Sequence, residues 1–195
     1  RDYYASRGLG DVYKRQMKEL EEELGGGYKV VANLPYYITT PIVCRFLDEA
    51  KKVGAMLVMV QEEVAERFCA QPDTKEYGAI TVALKTAAEV KIVRRVGRKM
   101  FVPAPNVDSA VVSIVFDDEK RGGVGREALR SVVRAAFSMR RKTLLNNLSA
   151  FFKADKAVLK DMLEKLGFSP DVRGESLSPE DFLRLASELE GLKAV

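Results

Sequence analysis

The sequence predicts an α/β domain with a parallel sheet, followed by a small all-helical domain. Between residues 28 and 70, two apolar runs typical of strands each precede a segment whose apolar residues recur at helical spacing. Strand, helix, strand, helix in that order is typical of a parallel layer with right-handed crossovers. Two more strand patterns follow at 89–116, and every later segment has helical spacing only.

The first part of the chain divides into five segments. Residues 1–16 show neither periodicity, so we expect a leader that is disordered or foreign to the domain. A short acidic helix is predicted from Met17, ended by the glycines that start at Gly25. "YKVVANL" predicts a buried strand, and the helix after it begins near Pro41. "AMLVMVQ" predicts a strand covered on both faces, and "EEVAERFCAQ" another helix.

The second part begins at Tyr77. "YGAITVALKTAA" favours a helix, although a strand also fits. Two strand patterns, "EVKIVRRVG" and "VDSAVVSIVF", flank the loop "RKMFVPAPN" and predict an antiparallel pair at one edge of the sheet. The charged, glycine-rich "DDEKRGGVG" predicts a linker, which divides the chain into domains 17–118 and 119–195. About four helices follow, the last with Ser178 as its N-cap and Asp181 in the capping-box position.

Composition excludes several classes of protein. The hydrophobic fraction of 47% and charged fraction of 31% are typical of a soluble globular protein, and no apolar run is long enough to cross a bilayer. The absence of histidine excludes Ser-His-Asp triads, Cys-His dyads and most zinc sites, so we expect no metal. Cys44 and Cys69 are expected to be free thiols of a cytoplasmic protein.

Positive charge is concentrated in one segment. Residues 120–150 contain eight lysines and arginines and one acid, so their net charge is 8 − 1 = +7, whereas the rest of the chain has 4 − 7 = −3. A basic segment on a nearly neutral body favours a polyanionic partner. A solvated helix face that happens to use arginine is the alternative interpretation.

The end of the first strand carries an unusual turn, Asn33-Leu34-Pro35-Tyr36. In open α/β sheets ligands bind outside the carboxyl ends of the strands. The Asn33 side-chain oxygen and the Pro35 carbonyl could accept two N–H bonds from an exocyclic amine, while the Tyr36 ring could stack on a planar base. The alternative is a plain strand-to-helix turn with a core tyrosine.

Asn33-Leu34-Pro35-Tyr36 and five further segments carry a resemblance to the ribosomal RNA adenine dimethyltransferases of the small subunit. DNA amino-methyltransferases have a related Asn/Asp-Pro-Pro-Tyr. The resemblance covers roughly residues 18–192, with Glu62 where lysine is common in the family. The five further segments are "MVQEEVAERF", "YGAITV", "FVPAPNVDSAVV", "AFSMRRKTLLNNL" and "RGESLSPEDF".

The resemblance implies the C-terminal part of a Rossmann-like class I methyltransferase domain plus a helical rRNA-binding domain. It implies methyl transfer from S-adenosylmethionine to N6 of adenine, twice per base, in small-subunit rRNA during ribosome biogenesis. The expected partner is the immature 30S particle. The protein is expected to be a cytoplasmic monomer without membrane contact. The implied residues are Asn33, Pro35, Tyr36 and Phe101 for catalysis, Asn33 and Leu34 for the cofactor, and Arg134, Arg140, Arg141 and Lys142 for RNA.

Four of these residues and two of their neighbours also have simpler explanations. Phe101 could serve only as an apolar anchor for its loop, and Arg140, Arg141 and Lys142 could form a surface cluster satisfied by solvent or by the acids at 117–119. Asp108 and Ser109 are expected to be turn and strand-start residues whose side chains bond the backbone, without a catalytic role.

The sequence departs from the family pattern at its start. No strand with a Gly-x-Gly loop, no acidic residue for ribose hydroxyls and no aspartate near the cofactor adenine precedes Met17. We therefore expect an N-terminally truncated fragment that is inactive alone, with activity in a longer parent. Two alternatives remain: a non-catalytic rRNA-binding assembly factor, and a methyltransferase of the antibiotic-resistance type that acts on large-subunit rRNA.

Overall fold

The computed structural model describes residues 9–122 and 125–193 and divides into two compact units. The first comprises the chain up to Glu66 together with Glu89–Asp117, and the second Arg67–Ala88 together with the chain from Asp118 on. In chain order the helices and strands are α1 (Leu9–Leu24), β1 (Tyr28–Asn33), α2 (Thr39–Glu49), β2 (Val53–Gln61), α3 (Glu62–Cys69), α4 (Ala79–Lys85), β3 (Ala88–Val96), β4 (Ser109–Phe116), α5 (Asp118–Gly122), α6 (Arg126–Ala136), α7 (Leu144–Phe152), α8 (Lys156–Lys165) and α9 (Pro179–Lys193).

The first unit is built on a four-stranded mixed sheet with the order β1-β2-β4-β3. β1 and β2 run parallel and are joined through α2, which confirms the predicted strand-helix-strand unit. β4 pairs antiparallel with β2, so that Ser109 lies opposite Gln61, and β3 lies beside β4 at the edge where the antiparallel pair of these two strands was predicted. The carboxyl ends of β1 and β2 and the start of β4 therefore meet at one edge of the sheet.

One face of this sheet is buried and the other is partly open. Met56 and Val58 of β2 are at most 1% exposed, and Val43 of α2 is fully buried. On the opposite face Val31 is 78% exposed and its cross-strand partner Leu57 is 40% exposed. The expectation that "AMLVMVQ" is covered on both faces is therefore wrong for the part of the chain that the structure describes. A continuous apolar run satisfies either one or two covered faces, so the pattern could not separate them.

The second unit is helical and has its own core. Helices α6, α7, α8 and α9 provide most of the core, and residues before β3 join it through Tyr77, which is 1% exposed, and the fully buried Val82 of α4. The Tyr77 hydroxyl donates to the carbonyl of Leu177 at 2.7 Å, and Lys85 Nζ donates to the Ala70 carbonyl at 2.6 Å. These long-range contacts explain why 67–88 cluster with the helical unit, whereas the sequence placed them in 17–118.

Local signals set most element ends. Gly25, at φ +71°, ends α1 as the glycine run predicted, because glycine adopts left-handed backbone angles without a steric penalty. Ser178 and Asp181 form the predicted capping box of α9, with Asp181 N–H donating to Ser178 Oγ at 3.1 Å and Ser178 N–H to Asp181 Oδ2 at 3.1 Å.

Two boundaries differ from the sequence prediction. Helix α1 begins at Leu9, inside the segment expected to be a leader, while residues 1–8 lie outside the described part. The expected linker contains α5, whose acidic start and basic end suit the helix dipole, and whose Asp118 and Arg121 pair at 3.9 Å. Residues 123–124 of that linker lie outside the described part. Among described helices, none is long and apolar enough to span a bilayer.

Candidate functional site

A concave site lies at the edge of the sheet where β1 ends. It is a shallow site, largely open to solvent, with a volume of about 330 Å³, which falls at the small end of the range for ligand-binding clefts. One wall is the turn that leaves β1, and the other is the proline-punctuated loop between β3 and β4. The lining residues are Asn33, Leu34, Pro35 and Tyr36 on the first wall and Phe101, Pro103 and Pro105 on the second. The structure thus brings together the expected residues Asn33, Leu34, Pro35, Tyr36 and Phe101.

The turn after β1 is held by the Pro35 carbonyl. Its oxygen accepts hydrogen bonds from the Ile38 N–H at 3.1 Å and from Thr39 Oγ1 at 3.1 Å. Thr39 is fully buried, so the second bond has little competition from water. A carbonyl oxygen has two lone pairs, and both are used here. This differs from the expected role of Pro35, because the oxygen that was to accept a substrate amine already serves the turn.

Two other hydrogen-bond acceptors lie at the C-terminal end of β1. Asn33 is the last residue of β1 and is exposed, and its side chain makes no hydrogen bond to any residue within the described ranges. The Leu34 N–H donates to the Met59 carbonyl at 3.2 Å, which holds this backbone against β2. No described residue donates to the Leu34 carbonyl oxygen. The Asn33 amide and the Leu34 carbonyl are therefore the acceptors that remain available beside each other.

The Tyr36 ring is fixed by a residue that sequence reasoning did not select. The Tyr36 hydroxyl and Ser109 Oγ share a hydrogen bond of 2.7 Å, and Ser109 is fully buried at the start of β4. Ser109 was expected only to bond the backbone. The two residues are 73 positions apart, so no local pattern could have paired them. Asp108 does behave as expected, since its Oδ1 accepts the Arg98 N–H at 2.8 Å.

The loop that carries Phe101 is braced internally. The Arg98 backbone N–H donates to Asp108 Oδ1, and its guanidinium Nη1 donates to the Asn106 carbonyl at 3.1 Å. The Phe101 N–H donates to the Arg98 carbonyl at 3.3 Å, which closes a short 3-10 turn over Arg98–Met100. These bonds tie both ends of the loop together. Phe101 is only partly buried, so its ring is an accessible wall as well as an anchor.

A basic turn lies between α6 and α7 in the second unit. Arg134, on α6, and Arg141 and Lys142, in the turn, are exposed. The side chains of Arg141 and Lys142 make no hydrogen bond or ion pair to a residue of the described ranges. Asn147, which is 2% exposed, donates Nδ2 to the carbonyls of Ala136 and Met139 at 2.9 and 3.1 Å. The backbone that presents these cations is therefore fixed before any ligand binds.

Arg140 is engaged differently from its neighbours. Its Nε donates to Glu175 Oε2 at 2.6 Å, and its two Nη atoms donate to the carbonyls of Lys75 and Thr74 at 2.8 and 3.1 Å. The same Glu175 also lies 3.8 Å from Arg173. Arg140 therefore joins the 74–75 backbone to the segment that precedes α9. This placement favours a structural role over the expected contact with RNA.

Two features limit the chemistry of the described residues. No group of three or more Cys, Asp or Glu side chains in the described ranges could hold a metal ion. Cys44 and Cys69 are thiols that form no disulfide with each other, and both are partly buried. The strongly shifted group is Tyr77, whose pKa is raised well above its ordinary value by burial first, and then by the negative charges of Glu180 and Asp181.

The family model and the curated proteins that this chain resembles are all described as ribosomal RNA methyltransferases or dimethylases. A family model described as "Ribosomal RNA adenine dimethylase" matches residues 9–190. Residues 9–16, expected to be foreign to the family, therefore lie inside the match. "Ribosomal RNA small subunit methyltransferase A" of Clostridioides difficile (strain 630) is 43% identical over 180 residues, which are 91% of this chain and 62% of that protein. The protein of the same name from Bacillus mycoides (strain KBAB4) is 44% identical over 183 residues, 92% of this chain and 62% of its own length. The chain thus spans about 62% of the length of these relatives.

Solved structures resemble the fold. A dimethyladenosine transferase from Plasmodium falciparum superposes with a TM-score of 0.74 at 26% identity, over 84% of this chain and 66% of that chain. The 23S rRNA methyltransferase ErmE superposes with a TM-score of 0.63 at 24% identity, over 90% of this chain and 78% of that chain. The second likeness, at its low identity, bears on the fold alone.

Proposed function

The chain belongs to the ribosomal RNA adenine dimethylase family, and from this membership we propose that it carries the target-base site of an enzyme that dimethylates N6 of adenines in small-subunit rRNA. The relatives with 43–44% identity bear the small-subunit name, which favours this substrate over large-subunit rRNA. The observation that carries the proposal is the cleft at the end of β1, where two free acceptors and two aromatic rings surround a space of about 330 Å³.

The acceptors would act on the adenine amino group. An exocyclic amine of adenine is a poor nucleophile because its lone pair is delocalised into the ring. We propose that the Asn33 side-chain oxygen and the Leu34 carbonyl accept its two hydrogens, which favours a pyramidal nitrogen with a more available lone pair. Pro35 then contributes by forming the turn, and its carbonyl is reserved for Ile38 and Thr39.

The aromatic walls would hold the base. The target adenine leaves its stack to reach a recessed site, and this costs a few kcal/mol that the pocket must return. The Tyr36 ring, fixed through Ser109, and the Phe101 ring, fixed by the braced loop, are suited to lie against the base from the two walls. Because positioning and electrostatics do most of the work, no histidine base is needed.

A methyltransferase family implies S-adenosylmethionine as the methyl donor. When bound, S-adenosylmethionine supplies a methyl group that its sulfonium centre already activates. The residues present fit one edge of such a ligand, since the unpaired Asn33 amide can both donate and accept and the Leu34 backbone is held beside it. We propose that Asn33 and Leu34 contact the donor as well as the base. Loss of the Asn33 amide is expected to weaken equilibrium binding of S-adenosylmethionine, measurable without any turnover.

The basic turn would recognise folded RNA. Double-stranded RNA is read mostly through phosphates and shape, which exposed and preorganised cations suit. Arg141 and Lys142 are the members of the predicted set best placed for this, with Arg134 on the adjoining helix. We propose these three as phosphate contacts and assign Arg140 to the scaffold.

The test measures methyl transfer from tritiated S-adenosylmethionine to small ribosomal subunits whose rRNA has not been methylated. It uses this chain and a chimaera in which the chain is joined to the part of the C. difficile relative outside the match. Dimethyladenine in small-subunit rRNA is the expected product of the chimaera. Asn33→Ala in the chimaera should lower the transfer rate about 10²–10³-fold while RNA affinity changes less than about 2-fold.

The matched variant is Asn33→Asp, which keeps an acceptor oxygen at the same place. It should retain more transfer activity than Asn33→Ala if acceptance is the role of this residue. Binding of small subunits without labelling by either protein would instead identify a non-catalytic assembly factor. Labelling of large subunits in preference to small ones would support the resistance-type alternative. Equal loss of binding and transfer in Asn33→Ala would remove Asn33 from catalysis.

A further inference from the structure

The loop beside the cleft holds apolar side chains out in solvent. We call residues Gly97–Val102 the 97–102 loop. Met100 is 78% exposed and Val102 is 99% exposed, although Phe101 between them is partly buried in the cleft wall. Single exposed apolar residues are common, but two that flank a binding cleft on a short loop mark an interaction site.

The exposure is not a consequence of a loose loop. The backbone of Arg98 is tied to Asp108, its guanidinium to Asn106, and the Met100 N–H to the Gly97 carbonyl at 3.0 Å. The loop is thus braced across its base with Met100 and Val102 directed away from the core. Because the loop backbone does not need to be ordered at the moment of contact, little backbone entropy is lost when these side chains enter a partner.

The charges around the loop select an anionic partner. Residues 91–107 contain five lysines and arginines and no acid, a segment that the sequence-based prediction of basic character at 120–150 overlooked. Arg95 is paired with Glu62 and Glu66. Lys99 is exposed, and within the described ranges its side chain has no hydrogen bond or ion pair. An uncompensated cation next to exposed apolar side chains matches the alternation of phosphates and bases in RNA.

The opposite wall has a similar feature. Tyr37 follows the pocket residue Tyr36 and is 84% exposed. The cleft is therefore flanked by an exposed aromatic ring on the first wall and by Met100 and Val102 on the second. A flipped adenine leaves a gap between its former neighbours, and an apolar side chain that enters the gap replaces part of the lost stacking.

We propose that the 97–102 loop is an RNA wedge: Met100 and Val102 enter the stack that the target adenine leaves, Lys99 binds a phosphate beside it, and Tyr37 stacks on a neighbouring base. This inference rests on the proposed function, since it requires that the cleft takes a base out of RNA. It adds residues that hold the flanking RNA, and none of the four is assigned to the cleft itself.

The test uses the full chain and a hairpin RNA with an adenine-rich loop, in which one loop adenine at a time is replaced by 2-aminopurine. The fluorescence of this base rises when it unstacks. The unsubstituted chain is expected to raise it at one or more positions. The double variant Met100→Ser with Val102→Ser should reduce the rise at least about 5-fold, while the dissociation constant changes less than about 3-fold.

The cation is tested by salt dependence. Lys99→Ala should weaken RNA binding about 3–10-fold and lower the slope of log affinity against log salt by about 0.7–0.9. Tyr37→Ala should weaken binding by a similar factor without changing that slope. The matched controls are Leu24→Ser, an exposed apolar residue on α1, and Lys51→Ala, an exposed lysine before β2 at the opposite end of the strands. Both should leave fluorescence and slope unchanged.

Each outcome bears on one proposal or on both. A fluorescence rise that Met100→Ser with Val102→Ser leaves intact overturns the wedge and keeps the proposed function. The same holds if Leu24→Ser reduces the rise as much as the double variant does. No rise at any position with the unsubstituted chain overturns both. Far-ultraviolet circular dichroism and the thermal midpoint verify that each variant is folded, which is expected because all the substituted side chains are exposed.

Discussion

Tyr36 and Ser109 illustrate how single residues define the cleft. The ring that would carry stacking is partly buried, and its hydroxyl is held at 2.7 Å by a serine with no exposed surface. Removal of either hydroxyl leaves the other polar group without a partner, at a cost of about 1–3 kcal/mol for the buried serine. The cleft geometry therefore depends on a residue that does not line it.

Tyr77 predicts a pH dependence of stability in the helical unit. Its pKa is raised by burial and by Glu180 and Asp181, so the folded protein keeps the phenolic proton at pH values where the unfolded chain, with an ordinary pKa of about 10, releases it. The stabilising contribution is complete below about pH 10 and declines as the pH rises above it. The urea midpoint should fall more steeply above pH 10 in the unsubstituted chain than in Tyr77→Phe.

The Tyr77→Phe variant carries its own control. It loses the hydrogen bond to the Leu177 carbonyl, so its urea midpoint at neutral pH should be lower than that of the unsubstituted chain. The comparison therefore uses the change in each protein's midpoint from neutral to alkaline pH, which removes this constant difference. Parallel decline of both proteins above pH 10 would mean that other groups cause the alkaline loss.

At the scale of an element, the turn between α6 and α7 is ordered by one buried amide. Asn147→Ala removes the donor to the carbonyls of Ala136 and Met139, and the expected destabilisation is about 2–3 kcal/mol, measured by urea unfolding. The adjacent Asn146 is exposed, and among the described residues its side chain bonds only Thr143, so Asn146→Ala should cost less than about 1 kcal/mol. Equal costs for the two variants would argue against Asn147 as the residue that holds the turn.

The elements themselves were largely predictable from local pattern. The strand that ends at Asn33, the helix that contains Pro41 and the capped helix at Ser178 were identified because each is specified by periodicity and terminal residues a few positions apart. The start of α1 and the presence of α5 were missed, since glycines at positions 8, 10, 122 and 123 indicated loops. The sequence analysis expected β2 to be covered on both faces, whereas only one face is buried. The sequence of a strand does not show what packs against it.

At the scale of the whole molecule, the cations divide into those that build the fold and those that face solvent. Arg141→Ala with Lys142→Ala should reduce the slope of log RNA affinity against log salt by about 1.4–1.8, because two phosphate contacts would be lost. The free energy of unfolding should change by less than about 1 kcal/mol. Fluorescence anisotropy with a labelled rRNA fragment over a salt series measures the slope.

Arg140→Ala is the opposing variant of the same charge. It leaves Glu175 and two carbonyls without their donor, so it should lower the free energy of unfolding while changing the salt slope by less than about 0.5. A slope change as large as that of the double variant would return Arg140 to the RNA-binding set.

The sequence alone determined the α/β layer, the helical C-terminal unit, the family resemblance and the position of the turn at 33–36, because these depend on periodicity and on short motifs. Only the tertiary structure decided which atoms of that turn are free: Pro35 is occupied by Thr39, and Tyr36 is held by Ser109. It also decided that the Arg140 guanidinium is bonded to Glu175 and that Met100 and Val102 are exposed to solvent. Hydrogen bonds and exposure depend on partners tens of residues away, which no local pattern records.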